Sequence, residues 1–113
     1  MQQIAELDIT AVPATLPTGL VVLDVREDYE WRAGHIQGAL HIPLGSLPQR
    51  LADIPAEQRI LVVCKVGGRS AQATQFLQAR GRDAVNLAGG MVAWDGAGRE
   101  MVAEDDRPAR VER

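Results

Sequence analysis

At 113 residues the chain is long enough for one domain and too short for two ordinary ones; with 46% hydrophobic and 24% charged residues it is not a disordered chain, and its core needs no metal or disulfide. Only Tyr29, Trp31, Phe76 and Trp94 are aromatic, so the core is aliphatic and a stacking platform for single-stranded nucleic acid is excluded. The formal net charge of -3, with eleven Arg and one Lys scattered along the chain, excludes a basic stripe for a phosphate backbone.

In chain order, residues 3–7 read as a weak strand and residues 10–15 as one turn, with Thr10 capping and Pro13 early. The aliphatic run Leu20-Val21-Val22-Leu23 reads as a buried strand, and 27–33 as a short helix. Residues 39–42 form a second weak strand, stopped by Pro43. A helix is expected over 46–54: Ser46 can cap it, Pro48 sits in its first turn, and Leu47, Leu51 and Ile54 share a face. Ile60-Leu61-Val62-Val63 is another buried strand. The helix over 70–80 places Ala73, Phe76 and Leu77 on one side and ends at Gly81. A strand over 84–87 and a short helix over 91–95, bounded by Gly89-Gly90 and Gly96, complete the pattern. Continuous apolar strands alternating with helices predict an α/β domain over 1–98. Its five strand candidates form a mainly parallel sheet covered on both faces. Residues 99–113 are rich in Arg, Glu and Asp, and 104–113 are expected to form a poorly ordered tail.

The lone cysteine decides the function. A single Cys is most often a small buried hydrophobe, and it can make neither an internal disulfide nor a thiolate metal site. His35 and His41 do not stand at metal-ligand spacing. Cys64, however, ends a buried strand, at the sheet edge where open α/β folds bind ligands. The segment Lys65-Val66-Gly67-Gly68-Arg69-Ser70 follows as a glycine loop running into a helix. Such a loop can turn several N–H groups inward, and the helix start adds partial positive charge. Lys65 and Arg69 flank it, so every contribution favours an anion at the sulfur. Lowering a thiol pKa by about two units, worth about 2.7 kcal/mol, would make the thiolate the major form at neutral pH.

The loop Cys64-Lys65-Val66-Gly67-Gly68-Arg69-Ser70 resembles the active-site signature of the rhodanese family of sulfurtransferases. Leu23-Asp24-Val25-Arg26-Glu27, then Gly34-His35-Ile36-Gln37-Gly38-Ala39 and Ile42-Pro43, resembles the family's first signature. Leu87-Ala88-Gly89-Gly90-Met91-Val92-Ala93-Trp94 resembles its last. The three stand in the family's order and cover residues 20 to about 98. The resemblance implies a single-domain rhodanese-like α/β fold, a small central, mainly parallel five-stranded sheet with helices on both faces, and a ping-pong reaction. The Cys64 thiolate takes sulfur from an anionic donor such as thiosulfate, forms a persulfide, and yields it to cyanide or to a small or protein thiol, thioredoxin among them. It implies no cofactor and no metal, with Lys65, Val66, Gly67, Gly68, Arg69 and Ser70 forming the substrate and persulfide loop.

Loop length separates the nearest rivals. Cys64 through Arg69 is six residues, as in the sulfurtransferases, whereas related dual-specificity phosphatases and some arsenate reductases carry one more, which admits a tetrahedral oxyanion. Rhodanese-like binding modules without activity typically lack the cysteine that is present here. Asp24 and Arg26 follow a strand that ends on the same sheet edge as Cys64; either could border the site, but such a pair more often ties loops together. His35 is expected to be a structural hydrogen-bonder, His41 to face solvent and Trp94 to lie in the core. Glu100, Glu104, Asp105 and Asp106 are expected to form a solvated acidic stretch. Met1-Gln2-Gln3-Ile4 has no basic or long apolar start, and Ile60 to Cys64, the longest aliphatic run, is far below the ~20 residues of a membrane span. A soluble, cytoplasmic protein with no nucleic-acid or membrane partner is therefore expected.

Overall fold

Uninterrupted aliphatic strands have no polar face to offer water, so they must be covered on both sides. In the structure, a computed structural model that describes residues 4–112, these runs form the middle of a five-stranded sheet. The strands are β1 Glu6–Leu7, β2 Leu20–Asp24, β3 Leu40–His41, β4 Arg59–Val63 and β5 Ala84–Leu87. Their order is β1-β5-β4-β2-β3 and every pairing is parallel. Of the weak strand expected over 3–7, Gln3 lies outside the described residues, and pairing begins at Glu6. Three α-helices accompany the sheet: α1 Asp28–Ala33, α2 Gly68–Ala79 and α3 Gly90–Gly96.

The strand alternation divides the core into two layers. Ile60 and Val62 of β4 pack with Leu23, with Ala73 and Leu77 of α2, and with Leu47 and Ile54. Leu61 and Val63 point the other way, toward Val22, Val85, Leu87 and Met91 and Trp94 of α3. Each fully buried side chain of this size contributes roughly 1.5–3 kcal/mol by leaving water. In register, Leu23 faces Val62 and Asp24 faces Val63, so β2 and β4 end level. Val25-Arg26 and Cys64-Lys65 therefore leave the sheet at the same edge.

Two local expectations shift. The helix expected over 46–54 is two 3-10 segments, Leu44–Ser46 and Pro48–Asp53, the second kinked at Arg50. Pro48 has no N–H to continue the first segment, so the chain restarts there. Ser46 lies inside the first turn and caps nothing. Leu47 and Ile54 are nevertheless buried as the apolar face requires. Near the start, Asp8 rather than Thr10 is the cap of the 3-10 helix Ile9–Ala11: its Oδ2 accepts from Thr10 N (3.0 Å) and Thr10 Oγ1 (2.6 Å). No helix among the described residues is long and apolar enough to cross a membrane.

Composition offers 104–113 no reason to order, yet the described part of the charged C-terminal stretch lies along the end of α1. His35 and Val102 exchange both backbone hydrogen bonds, at 2.9 and 2.8 Å. Glu104 N donates to Arg32 O (2.9 Å) and Arg110 N to Ala33 O (3.0 Å), and Val111 packs against the α3-side layer. The last carbonyls of a helix have no partner within it, and here the C-terminal backbone supplies one. Gly34 has extended backbone (φ 173), but a Cβ there would overlap Arg110 O and come within 2.6 Å of Arg110 N. Gly34→Ala should thus push the segment off without straining the backbone at residue 34. Overpacking of this kind costs roughly 1–3 kcal/mol, which corresponds to about fivefold or more in local opening. Limited trypsin digestion should cleave after Arg110 that much faster in the variant; an unchanged rate would contradict this packing.

Candidate active site

β4 delivers Cys64 to the sheet edge with 1% of its surface exposed. The loop then turns sharply: Gly67 caps α2 with φ 114, a left-handed conformation that suits glycine. Two donors converge on the sulfur. Gly67 N–H donates to Cys64 Sγ at 3.1 Å, and the Ser70 hydroxyl donates at 3.2 Å. Ser70 is fully buried in the first turn of α2, and Thr74 Oγ1 donates to its carbonyl at 2.7 Å. Burial is the largest single influence on the thiol and pushes its pKa up. The Ser70 hydroxyl and the backbone amides of Ser70, Gly67 and Val66 together outweigh it, leaving Cys64 below the ordinary thiol value.

The loop is held from behind. Met91 N donates to Cys64 O (2.8 Å) and Val92 N to Lys65 O (3.0 Å), which joins the start of α3 to the loop's outward carbonyls. Asn86 Nδ2 on β5 bonds Gly67 O (3.2 Å) and Glu6 Oε2 (3.0 Å). The contact of α3 with the loop requires Gly90, because a Cβ there would overlap Cys64 O and stand 2.7 Å from Lys65 C and O; its φ of 54 is also left-handed.

The two cations of the loop differ. Arg69 makes a two-pronged ion pair with Glu30 of α1, Nη1 to Oε1 at 2.6 Å and Nη2 to Oε2 at 2.9 Å. Hydrogen bonding to Arg69 holds the Glu30 carboxyl below its usual pKa despite burial, and the same bond raises Arg69. Glu30 also accepts from Glu27 N (3.0 Å), closing a reciprocal cap at the start of α1. Lys65 makes no ion pair or side-chain hydrogen bond among the described residues. It borders a cleft of about 370 Å³ shared with Val92, Asp95, Gly96 and Val111. Val66 at the loop tip is 62% exposed. A larger cavity of about 830 Å³ lies by Thr15, Ile36, Trp94 and Arg99 and includes no residue of the loop. Arg99 there is tied to the carbonyls of Ile9, Val12 and Pro13.

Asp24 and Arg26 are fully buried and bind each other: Arg26 Nη2 donates to Asp24 Oδ2 at 2.8 Å and to Gly34 O at 2.7 Å. They tie the end of β2 to the end of α1 and make no hydrogen bond to the Cys64 loop among the described residues. His35 is buried and donates from Nδ1 to Trp31 O at 2.8 Å. His41 does not simply face solvent. Its Nε2 bonds Arg26 O at 2.8 Å and its ring stacks on Trp31 at 4.7 Å, because the residue after a buried β2 leaves a carbonyl that needs a donor. Trp94 is in the core, with Nε1 donating to Glu100 O. Glu30 was not legible as part of this site. Its partner is 39 residues away, and the only local signal is its spacing from Glu27.

A strand-end cysteine under a ring of amides, on a parallel sheet of this order, matches known proteins. The family model of the rhodanese-like domain matches residues 11–97. A putative sulfurtransferase of Bacillus subtilis, YtwF, is 36% identical over 77 residues, covering 68% of this chain and 75% of its own. A protein of Allochromatium vinosum named sulfurtransferase is 34% identical over 87 residues, covering 76% and 81%. The crystal structure of a rhodanese-related protein from Thermoplasma volcanium superposes with a TM-score of 0.72 at 33% identity, covering 74% of this chain and 84% of that one. The chain belongs to the rhodanese-like domain family.

Ser70→Ala removes the hydroxyl from the buried sulfur. A hydrogen bond to a charged group is worth about 1.5–3 kcal/mol, so the thiol pKa should rise by about one unit or more. The sign follows from the geometry: Ser70 stabilises the anion, so losing it moves the acid limb of Cys64 reactivity to higher pH. The rate of iodoacetamide alkylation against pH measures this; an unmoved limb would show that the hydroxyl does not act on the sulfur.

Proposed function

We propose that this chain is a sulfurtransferase that carries a sulfane sulfur on Cys64. The observation that carries the reading is the pair of donors, Gly67 N–H and Ser70 O–H, aimed at one buried sulfur. In the first step the Cys64 thiolate attacks the outer sulfur of a small anionic donor such as thiosulfate. A sulfur–sulfur bond forms to Cys64, the donor's own sulfur–sulfur bond breaks, and sulfite leaves with that electron pair. In the second step cyanide, or the thiolate of a small thiol or a protein thiol such as thioredoxin, attacks the terminal sulfur, and the Cys64 thiolate is released. Charge and electrons balance in both steps, so no metal or cofactor enters.

The loop from Lys65 to Ser70 is proposed to bind donor and persulfide, with its amides stabilising negative charge on the terminal sulfur as an oxyanion hole stabilises oxygen. Lys65, which borders the cleft shared with Val92, Asp95, Gly96 and Val111, is proposed to supply positive charge to the donor. Asp24 and Arg26 support the site by fixing the neighbouring strand end. The six-residue ring from Cys64 to Arg69 favours sulfur over a phosphoryl or arsenate group. The names of two relatives agree with sulfur transfer. Soluble, cytoplasmic operation is part of the same reading.

Intact mass after thiosulfate treatment tests it. The chain should gain the mass of one sulfur, about 32 Da, as the covalent intermediate, and lose it on adding cyanide. Cys64→Ser should show neither the gain nor any thiocyanate formation. Turnover of an aryl phosphate by the wild type, without a sulfur adduct, would overturn the reading in favour of a phosphatase.

A further inference from the structure

The sulfur loop carries two cations, and the fold treats them unequally. Arg69 sets both guanidinium prongs on Glu30, whose side chain is only 5% exposed. Glu30 cannot easily turn away, because the same carboxylate accepts from Glu27 N and closes the first turn of α1. The pair is short, two-pronged and shielded on the carboxylate side, so an approaching anion meets little net charge from it. Lys65 has no such partner among the described residues.

We infer that Glu30 is a positioning residue that makes Arg69 a fixed post of the loop and leaves Lys65 as the cation that meets the charge of the sulfur donor. The donor half of this inference rests on the sulfurtransferase reading; the electrostatic half does not. A second consequence concerns the sulfur itself. Arg69 stands in the loop between Gly67 and Ser70, the two residues that donate to Cys64 Sγ, so its charge favours the thiolate and the paired charge of Glu30 offsets that. An over-stabilised thiolate is a poorer nucleophile, so the carboxylate keeps the anion reactive.

The test uses Glu30→Gln, which keeps shape and removes charge, and Glu30→Asp, which keeps charge. In Glu30→Gln the alkylation midpoint of Cys64 should fall by about half a unit to one unit, because Arg69 is no longer neutralised. Glu30→Asp should stay near the wild-type midpoint. Lys65→Ala should raise KM for thiosulfate about tenfold in the wild type with little change in kcat, but only about two- to threefold in the Glu30→Gln background, where Arg69 can substitute. A Glu30→Gln midpoint that stays or rises, or an equal Lys65→Ala effect in both backgrounds, would overturn the inference. If Glu30→Gln does not fold, Arg69→Gln replaces it. That variant should raise the midpoint, since it leaves the buried carboxylate facing the loop unpaired; a fall or no change would count against Glu30. Alkylation needs no sulfur transfer, so a wild type that takes no sulfur from thiosulfate would sink the functional reading and leave the electrostatic result standing.

Discussion

Cys64 Sγ lies where a sulfur anion has lost almost all of its water, and most of the surrounding structure answers that one cost. Burial alone drives a thiol toward its neutral form. Opposing it are N–H and O–H groups that must point at a single atom from a backbone that would otherwise not converge. A trans peptide plane links each carbonyl to the next amide in opposite directions. Turning the Lys65 carbonyl outward therefore turns the Val66 amide inward, toward the sulfur. Met91 and Val92 at the head of α3 take the carbonyls of Cys64 and Lys65, and Asn86 takes that of Gly67. The third signature segment thus works at the sulfur without touching it.

The same reasoning links distant glycines to the site. Gly67 lets the chain enter α2 in a left-handed turn that brings its own N–H onto the sulfur. Gly90 lets α3 press its backbone against the loop, where any Cβ would collide with the Cys64 carbonyl. Behind them, the level ends of β2 and β4 put the Asp24–Arg26 tie next to the loop's root. That buried pair braces the turn after β2 and, through Gly34 O, the end of α1, whose first turn holds the Glu30 that reaches Arg69.

Much of this was legible in the sequence because it is local. Aliphatic runs without polar alternation mark strands buried on both faces, and the Cys64–Ser70 segment carries strand end, glycine turn and helix start in contiguous residues. Features that depend on partners far along the chain were not legible. Glu30 reads as an ordinary helix-start carboxylate until the fold sets Arg69 against it. His41 reads as a solvent residue until Trp31 and the Arg26 carbonyl surround it. Residues 104–113 read as a poorly ordered tail because the hydrogen bonds of Glu104 and Arg110 are to helix-end carbonyls, which leave no trace in composition. The helix expected over 46–54 gives way to two 3-10 segments for a local reason, since Pro48 fits the first turn of a helix and also forbids continuation of an earlier one.

The account stands on the sulfur being an anion stabilised by its loop. With one cysteine in the chain, thiolate absorbance in the ultraviolet reports Cys64 alone, so titrating the reduced, folded protein reads the group directly. The titration should have its midpoint below the ~8.5 of a free thiol and should return to about that value on denaturation. A folded midpoint at or above the denatured one would mean that burial wins over the loop, and would contradict the account at its base.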